Sequence, residues 1–196
     1  MSKSQELIWD EIYKENKDKW KLETPLPKIF KNKSVLELGA GNGKTLKSII
    51  AQSPLSISAI DFSQQSITIL KNRFPKVNSI KSDILSIPFP DSSFDIVICS
   101  FVLNNLTSSD LPKAVSEISR VLNKKGKILF VDFAQGDYRL KERRQDGLSI
   151  NGFSIPQIKK LFSKFSIQKL RLDVTNPIRA NPELERKRIF MLAHKN

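Results

Sequence analysis

The sequence predicts a single α/β domain built on a mostly parallel sheet with helices on both faces. Short runs rich in β-branched and aromatic residues alternate with segments whose apolar residues recur at helical spacing, the pattern of strands joined by helical crossovers. A glycine-rich stretch, Glu37-Leu38-Gly39-Ala40-Gly41-Asn42-Gly43, joins the first apolar run to the first helical pattern. The chain has 196 residues, 39% of them hydrophobic, and no internal repeat, which suffices for one core.

Each element follows from local pattern. The segment LIWDEIYKENKDKW reads as a helix with Leu7, Ile8 and Ile12 on one face, a docking or lid element within residues 1–33. Val35-Leu36 forms the first strand, and Leu46, Ile49 and Ile50 share a face of the helix after the glycines. Residues 56–60 are the second strand, ending in Asp61, and Ser63 caps a helix whose Ile67, Leu70 and Phe74 point inward before Pro75 ends it. Residues 77–81 are a third strand leading to Asp83, and residues 94–100 a fourth. Residues 111–122 are a helix with Val115, Ile118 and Val121/Leu122 inward and Pro112 in the first turn. Asn123-Lys124-Lys125-Gly126 turns into the fifth strand, residues 127–133. Residues 134–153 read as an insertion on the substrate side. Ser154 then starts a helix over 155–165, and residues 167–174 and 188–194 supply strands six and seven of one domain spanning 1–196.

Composition narrows the function classes. The N-terminus is charged throughout, unlike a signal peptide, and the longest uncharged apolar run, residues 96–103, is far short of the ~20 needed to span a bilayer. One cysteine, Cys99, excludes an internal disulfide, and with one histidine, His194, it cannot build a zinc site. A cytoplasmic protein without metal or membrane attachment is expected. Cys99 reads as a small core side chain and His194 as a surface residue.

The tripeptide Gly43-Lys44-Thr45 suggests a phosphate loop. Such a loop needs G-x-x-x-x-G-K-[ST], so that successive backbone N–H groups wrap a phosphate. Counting back, the required glycine is Leu38, and Gly39 leaves the loop one residue short. The strand Ile128-Leu129-Phe130-Val131-Asp132 could mimic a magnesium-binding strand, but apolar strands ending in Asp are common in α/β sheets. The dinucleotide fingerprint G-x-G-x-x-G fails too, because Lys44 stands where its third glycine belongs. What remains is E-x-G-x-G-x-G from Glu37 to Gly43.

In that motif the sequence resembles the class I S-adenosylmethionine-dependent methyltransferases, of the type 11-like, Rossmann-like group. The resemblance implies a seven-stranded sheet in the order 3-2-1-4-5-7-6 with the last strand antiparallel. It implies S-adenosylmethionine as cofactor and S-adenosylhomocysteine as product. Gly39, Gly41 and Gly43, with Ala40 and Asn42 between them, would let the backbone approach the ligand closely. Glu37 would face its cationic end. Asp61, 18 residues after Gly43, corresponds to the acid that accepts the ribose hydroxyls, with Phe62 beside it. Asp83 and Ile84, in SDILSIPF, resemble the adenine side. The segment IPFPDSSFDIVICSFVLNNL matches the next blocks, a tight loop and a buried strand opening at Ser100 and Phe101. Similar families lay a W-x-x-x-Y helix and a second Trp over the cofactor, which singles out Trp9 and Trp20.

The catalytic apparatus is less legible. Methyl transfer is an in-line displacement that needs alignment and exclusion of water more than acid–base groups. The [DN]-P-P-[YF] signature of base-methylating relatives is missing after strand four, and Asn105 stands where many small-molecule relatives carry histidine. No general base is assigned. Asn104 and Asn105 are candidates to orient the substrate, with Phe101, Asp132 and Tyr138 as further candidates. A non-catalytic accessory or recruiting subunit of the same fold is the alternative.

Charge is uneven. Residues 134–196 hold 14 basic and 6 acidic side chains, against 11 and 8 in 35–133 and 8 and 6 in 1–34. The run Arg139 to Arg144 and the cluster Arg186-Lys187-Arg188 place the excess on the substrate side. RNA or a ribonucleoprotein is one acceptor class this suggests; a small anionic molecule or a protein side chain is the other.

Overall fold

A computed structural model describes residues 3–15, 26–141, 150–175 and 184–196. Seven strands form one sheet in the order β3-β2-β1-β4-β5-β7-β6. They are β1 (Ser34–Leu38), β2 (Ser56–Asp61), β3 (Asn78–Lys81), β4 (Phe94–Ser100), β5 (Leu122–Phe133), β6 (Phe165–Thr175) and β7 (Arg186–Lys195). Pairing is parallel from β3 to β5, and β7 is antiparallel to both β5 and β6. The expected order and the reversed last strand are both present.

This order fixes where a ligand can enter. From β1 the chain winds outward to β2 and β3, while β4 starts on the other side of β1 and winds toward β5. The connections therefore part between β1 and β4, opening a crevice at the carboxyl ends of those strands. β1 is buried after its first residue, and it pairs with β2 and β4 through Leu38↔Ile60 and Leu38↔Cys99. The glycine turn leaves β1 at that crevice.

The helices are α1 (Lys3–Glu15), α2 (Leu46–Ile50), α3 (Gln64–Arg73), α4 (Leu111–Val121) and α5 (Ile155–Leu161). Ser63 caps α3 by accepting from the Ser66 N–H, and Ser154 with Gln157 forms a reciprocal capping box at α5. Two apolar clusters fill the faces of the sheet, one around Leu36, Phe130 and Phe162 and one around Val35, Leu46 and Ile98. A third cluster of Trp9, Tyr13, Ile69, Phe133, Leu140 and Ile150 seats α1. None of the described helices is long and apolar enough to cross a membrane.

Several local expectations are corrected. Leu7 is 60% exposed, because the inward face of α1 is set by the large rings of Trp9 and Tyr13, with Ile8 and Ile12 at its margins. Ile50 is likewise exposed, since α2 is one short turn with only Leu46 and Ile49 in the core. α5 stops at Leu161 because Phe162 and Phe165 are drawn into an aromatic cluster with Phe130, and Phe165 opens β6 instead. The predicted turn 123–126 lies within β5 as an excursion between the pairs Phe94↔Leu122 and Ile96↔Lys127. Ala134, directly after β5, bridges Phe153 in parallel, and residues 142–149 of the predicted insertion lie outside the described residues.

Candidate functional site

The glycine turn holds Gly39, Gly41 and Gly43 at φ of 57°, 56° and 77°, a left-handed backbone that favours glycine. Each glycine has a different neighbour. A Cβ on Gly39 would lie 2.5 Å from Val102 Cγ2, and one on Gly41 would lie 2.6 Å from Tyr13 Oη. A Cβ on Gly43 would collide with Phe74 and approach Leu70 Cδ2 at 3.0 Å. Gly39 and Gly41 line the crevice; Gly43 fits the turn against α3.

Asp61 organises the turn. One carboxylate oxygen accepts the Gly41 N–H at 2.8 Å and the other the Ser63 N–H at 2.9 Å, while Ser66 Oγ donates to the Gly41 carbonyl at 2.8 Å. Burial raises the Asp61 pKa above the usual carboxylate range, and these N–H and O–H groups oppose the rise. Glu37 lies beneath the turn, 2% exposed and outside the lining of the crevice. Desolvation lifts its pKa to about 8, offset in part by the Thr45 side chain and by Lys44.

α1 covers the crevice. Its Asp10 accepts from Ser63 Oγ at 2.5 Å and from the Gln65 N–H at 3.2 Å, and Glu6 pairs with Lys81 at 2.6 Å. The stacked rings of Trp9 and Tyr13, 5.6 Å apart, thereby sit over both halves of the crevice. One half, about 90 Å³, is lined by Gly39, Ala40, Gly41, Asn42, Ser100 and Phe101 together with Lys44, Phe133 and Arg139. The other, about 40 Å³, is lined by Asp61, Phe62, Asp83, Ile84, Val102 and Asn105, among others. Both volumes fall well below the ~300 Å³ of the smaller drug-sized ligand sites. A nucleoside-sized ligand exceeds this enclosed space, and Trp9 and Tyr13 are the α1 side chains that lie over it.

The structure thus brings together nine of the twelve proposed cofactor residues. Glu37 and Gly43 stand behind the lining, and Trp20 lies outside the described residues. Of the substrate candidates, Phe101 lines both halves and Asn105 one. Asp132 is fully buried and accepts from the Asn104 N–H at 3.1 Å, from Asn104 Nδ2 at 2.6 Å and from the Phe133 N–H at 2.8 Å. Burial pushes its pKa up to about 7. Asn104 and Asp132 thus tie the 3-10 turn Leu103–Asn105 to the end of β5, and neither lines the crevice. Tyr138 lies outside the lining too. Asn105 donates from Nδ2 to the Val102 carbonyl at 3.2 Å, and its buried Oδ1, like Ser100 Oγ, has no hydrogen-bond partner among the described residues.

Two cations line the crevice that the sequence reading did not assign to it. Arg139, read as part of a basic run on the substrate side, forks its guanidinium onto buried Asp137 at 2.8 and 2.7 Å and lies 4.7 Å from the Phe133 ring centre. The i, i+2 Asp137-x-Arg139 spacing was the available signal. Lys44 Nζ lies 4.8 Å from the centre of the Phe101 ring. Arg143 and Arg144 fall outside the described residues.

Comparison with known proteins agrees with this geometry. Residues 36–130 match the family described as "Methyltransferase domain". Demethylmenaquinone methyltransferase of Renibacterium salmoninarum is 36% identical over 100 residues, 51% of this chain and 41% of that protein. A tRNA N(3)-cytidine methyltransferase of Xenopus tropicalis is 24% identical over 183 residues, 82% of this chain and 54% of its own length. The chain thus spans about half the length of these curated relatives, or less. A crystal structure of a SAM-dependent methyltransferase from Methanosarcina mazei superposes with a TM-score of 0.73 at 18% identity, covering 89% of this chain and 99% of that one.

Proposed function

Because this chain carries the methyltransferase domain and the seven-stranded sheet of the class I S-adenosylmethionine-dependent methyltransferases, we propose that it binds S-adenosylmethionine in the β1/β4 crevice and methylates a base of RNA. The observation that carries the cofactor reading is the glycine cradle: Gly39 and Gly41 line the crevice with left-handed backbone, and a Cβ on either would collide with a side chain that also lines it, Val102 or Tyr13. Bound there, S-adenosylmethionine would supply a methyl carbon made electrophilic by its sulfonium leaving group.

The chain's own residues divide the binding. Asp61 uses one lone pair of each oxygen on Gly41 and Ser63, and a carboxylate with about four acceptor sites retains capacity for ribose hydroxyls. Phe62, Asp83 and Ile84 surround the base. Lys44 and Arg139 supply positive charge for the amino-acid carboxylate, with Arg139 held in place by Asp137. Trp9, Tyr13 and Phe101 exclude water, so the rate arises mainly from alignment in a dry site. Asp132 is sealed behind Asn104, which removes it as a proton acceptor. Asn105 presents a carbonyl oxygen able to orient an N–H of the acceptor.

Two observations favour RNA. Similarity to the tRNA methyltransferase runs over 82% of the chain, well beyond the cofactor core, and residues 134–196 as a whole carry 14 basic against 6 acidic side chains. The higher identity to the demethylmenaquinone enzyme, confined to 51% of the chain, supports a quinone-like small molecule as the second reading. Incubation with methyl-tritiated S-adenosylmethionine and total tRNA tests the choice. Nuclease-sensitive label in the RNA is expected. Label confined to a lipid-quinone fraction would refute RNA, and no S-adenosylhomocysteine with any acceptor would leave the accessory-subunit reading.

A further inference from the structure

A groove of about 750 Å³ runs between α4 and α5, and none of its lining residues belongs to the crevice. Its floor is apolar, formed by Leu111, Val115, Leu161, Phe153 and Phe165. Along α4 the wall is small, with Ser116 exposed and Ser119 half-buried, so a neighbouring backbone can approach closely. α5 is only seven residues long; of the floor residues Leu111 and Leu161 are half-buried, and Val115, Phe153 and Phe165 are buried beneath them.

The rim is cationic. Lys160, Lys164, Arg120 and Lys195 line the groove, and none of the described lining residues is acidic. Arg120 is already neutralised by Glu117 and Asp91 at 2.8 and 2.9 Å, and Lys195 donates to the Leu122 carbonyl. Lys160 and Lys164 are exposed and make no ion pair among the described residues. Phosphates of a nucleic acid would find these two lysines but would face leucine and phenylalanine between them. An occupant with an apolar stripe and carboxylates on its flanks matches both features.

We infer that the α4/α5 groove docks an acidic amphipathic helix of a partner protein, making a third helix in this layer. The 11-residue α4 sets the length, ~16 Å at 1.5 Å per residue, or about three turns. The partner's apolar residues at i, i+3, i+4 and i+7 enter the floor against Val115 and Leu161, and its glutamates or aspartates meet Lys160 and Lys164. This surface does not depend on the cofactor site, so its test is independent of methyl transfer.

The probe is a synthetic 16-residue helix with leucines at those four spacings and glutamates on the flanks, followed by fluorescence anisotropy against the whole chain. Saturable binding is expected, together with at least tenfold weakening in the Lys160→Glu/Lys164→Glu variant and on raising salt. A photoreactive side chain placed at the exposed position 116 should crosslink the peptide. Calorimetry with S-adenosylmethionine checks that the variant keeps its cofactor affinity and its fold. The inference fails if the wild type does not bind, if the charge-reversed variant binds equally, if a lysine-flanked version of the peptide binds as well, or if tRNA displaces the peptide from the groove.

Discussion

Gly41→Ala and Gly43→Ala should damage different properties, although both alter one five-residue turn. Both glycines have positive φ, so each alanine meets the same left-handed penalty of ~1–2 kcal/mol. What differs is the neighbour. At position 41 the new methyl lies 2.6 Å from Tyr13 Oη, the far end of a side chain on a docked surface helix, which can retreat. At position 43 it drives into Phe74 and against fully buried Leu70, and overpacking of that kind adds ~1–3 kcal/mol. Total destabilisation is then ~1–2 kcal/mol for Gly41→Ala and ~2–5 kcal/mol for Gly43→Ala. At roughly 2–4 °C per kcal/mol for a chain of this size, Tm should fall by ~4 °C and ~10 °C respectively. Cofactor affinity should rank the other way. The Gly41 methyl occupies the crevice lining and should weaken S-adenosylmethionine binding at least ~10-fold, whereas Gly43→Ala should change it a few-fold at most. Differential scanning fluorimetry and calorimetric titration read the two quantities. Equal loss of affinity in both variants, or a larger Tm drop for Gly41→Ala, would refute the division of roles.

Two further outcomes follow from the buried polar groups. Glu37 keeps its proton in the fold up to about pH 8, whereas the unfolded chain releases it near 4.5, so its contribution to stability is full at low pH and is lost as pH rises between those values. Glu37→Gln should flatten that decline by roughly 1 kcal/mol per pH unit in urea titrations from pH 5.5 to 8, with no further divergence above 8; parallel curves would contradict it. Asn104→Ala removes the Nδ2 donor from buried Asp132 and should lower stability by ~1.5–3 kcal/mol. Alanine at 104 keeps the backbone N–H, so the lower half of that range is expected. Asn105→Ala should leave Tm within a degree or two and reduce turnover at unchanged S-adenosylmethionine affinity. A reversed pattern would return Asn104 to the reacting centre.

The sheet was legible because strand and crossover patterns are local, and the position of the crevice then follows from strand order. The residues that line the crevice were legible for the same reason: Gly39, Gly41, Asp61 and Asp83 all sit at the carboxyl ends of consecutive strands. Depth was not legible. Glu37 alternates along β1 with apolar neighbours, and nothing in the motif says that its carboxylate ends up beneath the turn. Long-range pairings were also out of reach. Asn104 meets Asp132 from 28 residues away, and Arg139 turns inward because Asp137 is buried under the Lys187 backbone, 50 residues distant. The inward face of α1 was misjudged because aliphatic residues were weighted over Trp9 and Tyr13, whose rings bury more area per residue.

The Gly43-Lys44-Thr45 sequence shows how geometry separates two chemistries that share residues. In a phosphate loop the backbone N–H groups, the lysine and the hydroxyl all converge on one anion. Here Leu38, where the first glycine of that loop would stand, is a fully buried strand residue paired to Ile60 and Cys99, so no nest can form around it. The Thr45 hydroxyl is turned inward to Glu37, and Thr45 is 1% exposed. Lys44 extends over Phe101 into the crevice. The acid that could have held a metal, Asp132, is enclosed by Asn104 and the β5 backbone. The Gly41 N–H, free to bind an anion in a phosphate loop, already donates to Asp61, whose remaining acceptor sites suit ligand hydroxyls and not phosphate oxygens. With the Gly41 N–H, the Thr45 hydroxyl and Asp132 all committed within the fold, the turn lacks the converging groups that a triphosphate needs, before any catalytic residue is considered.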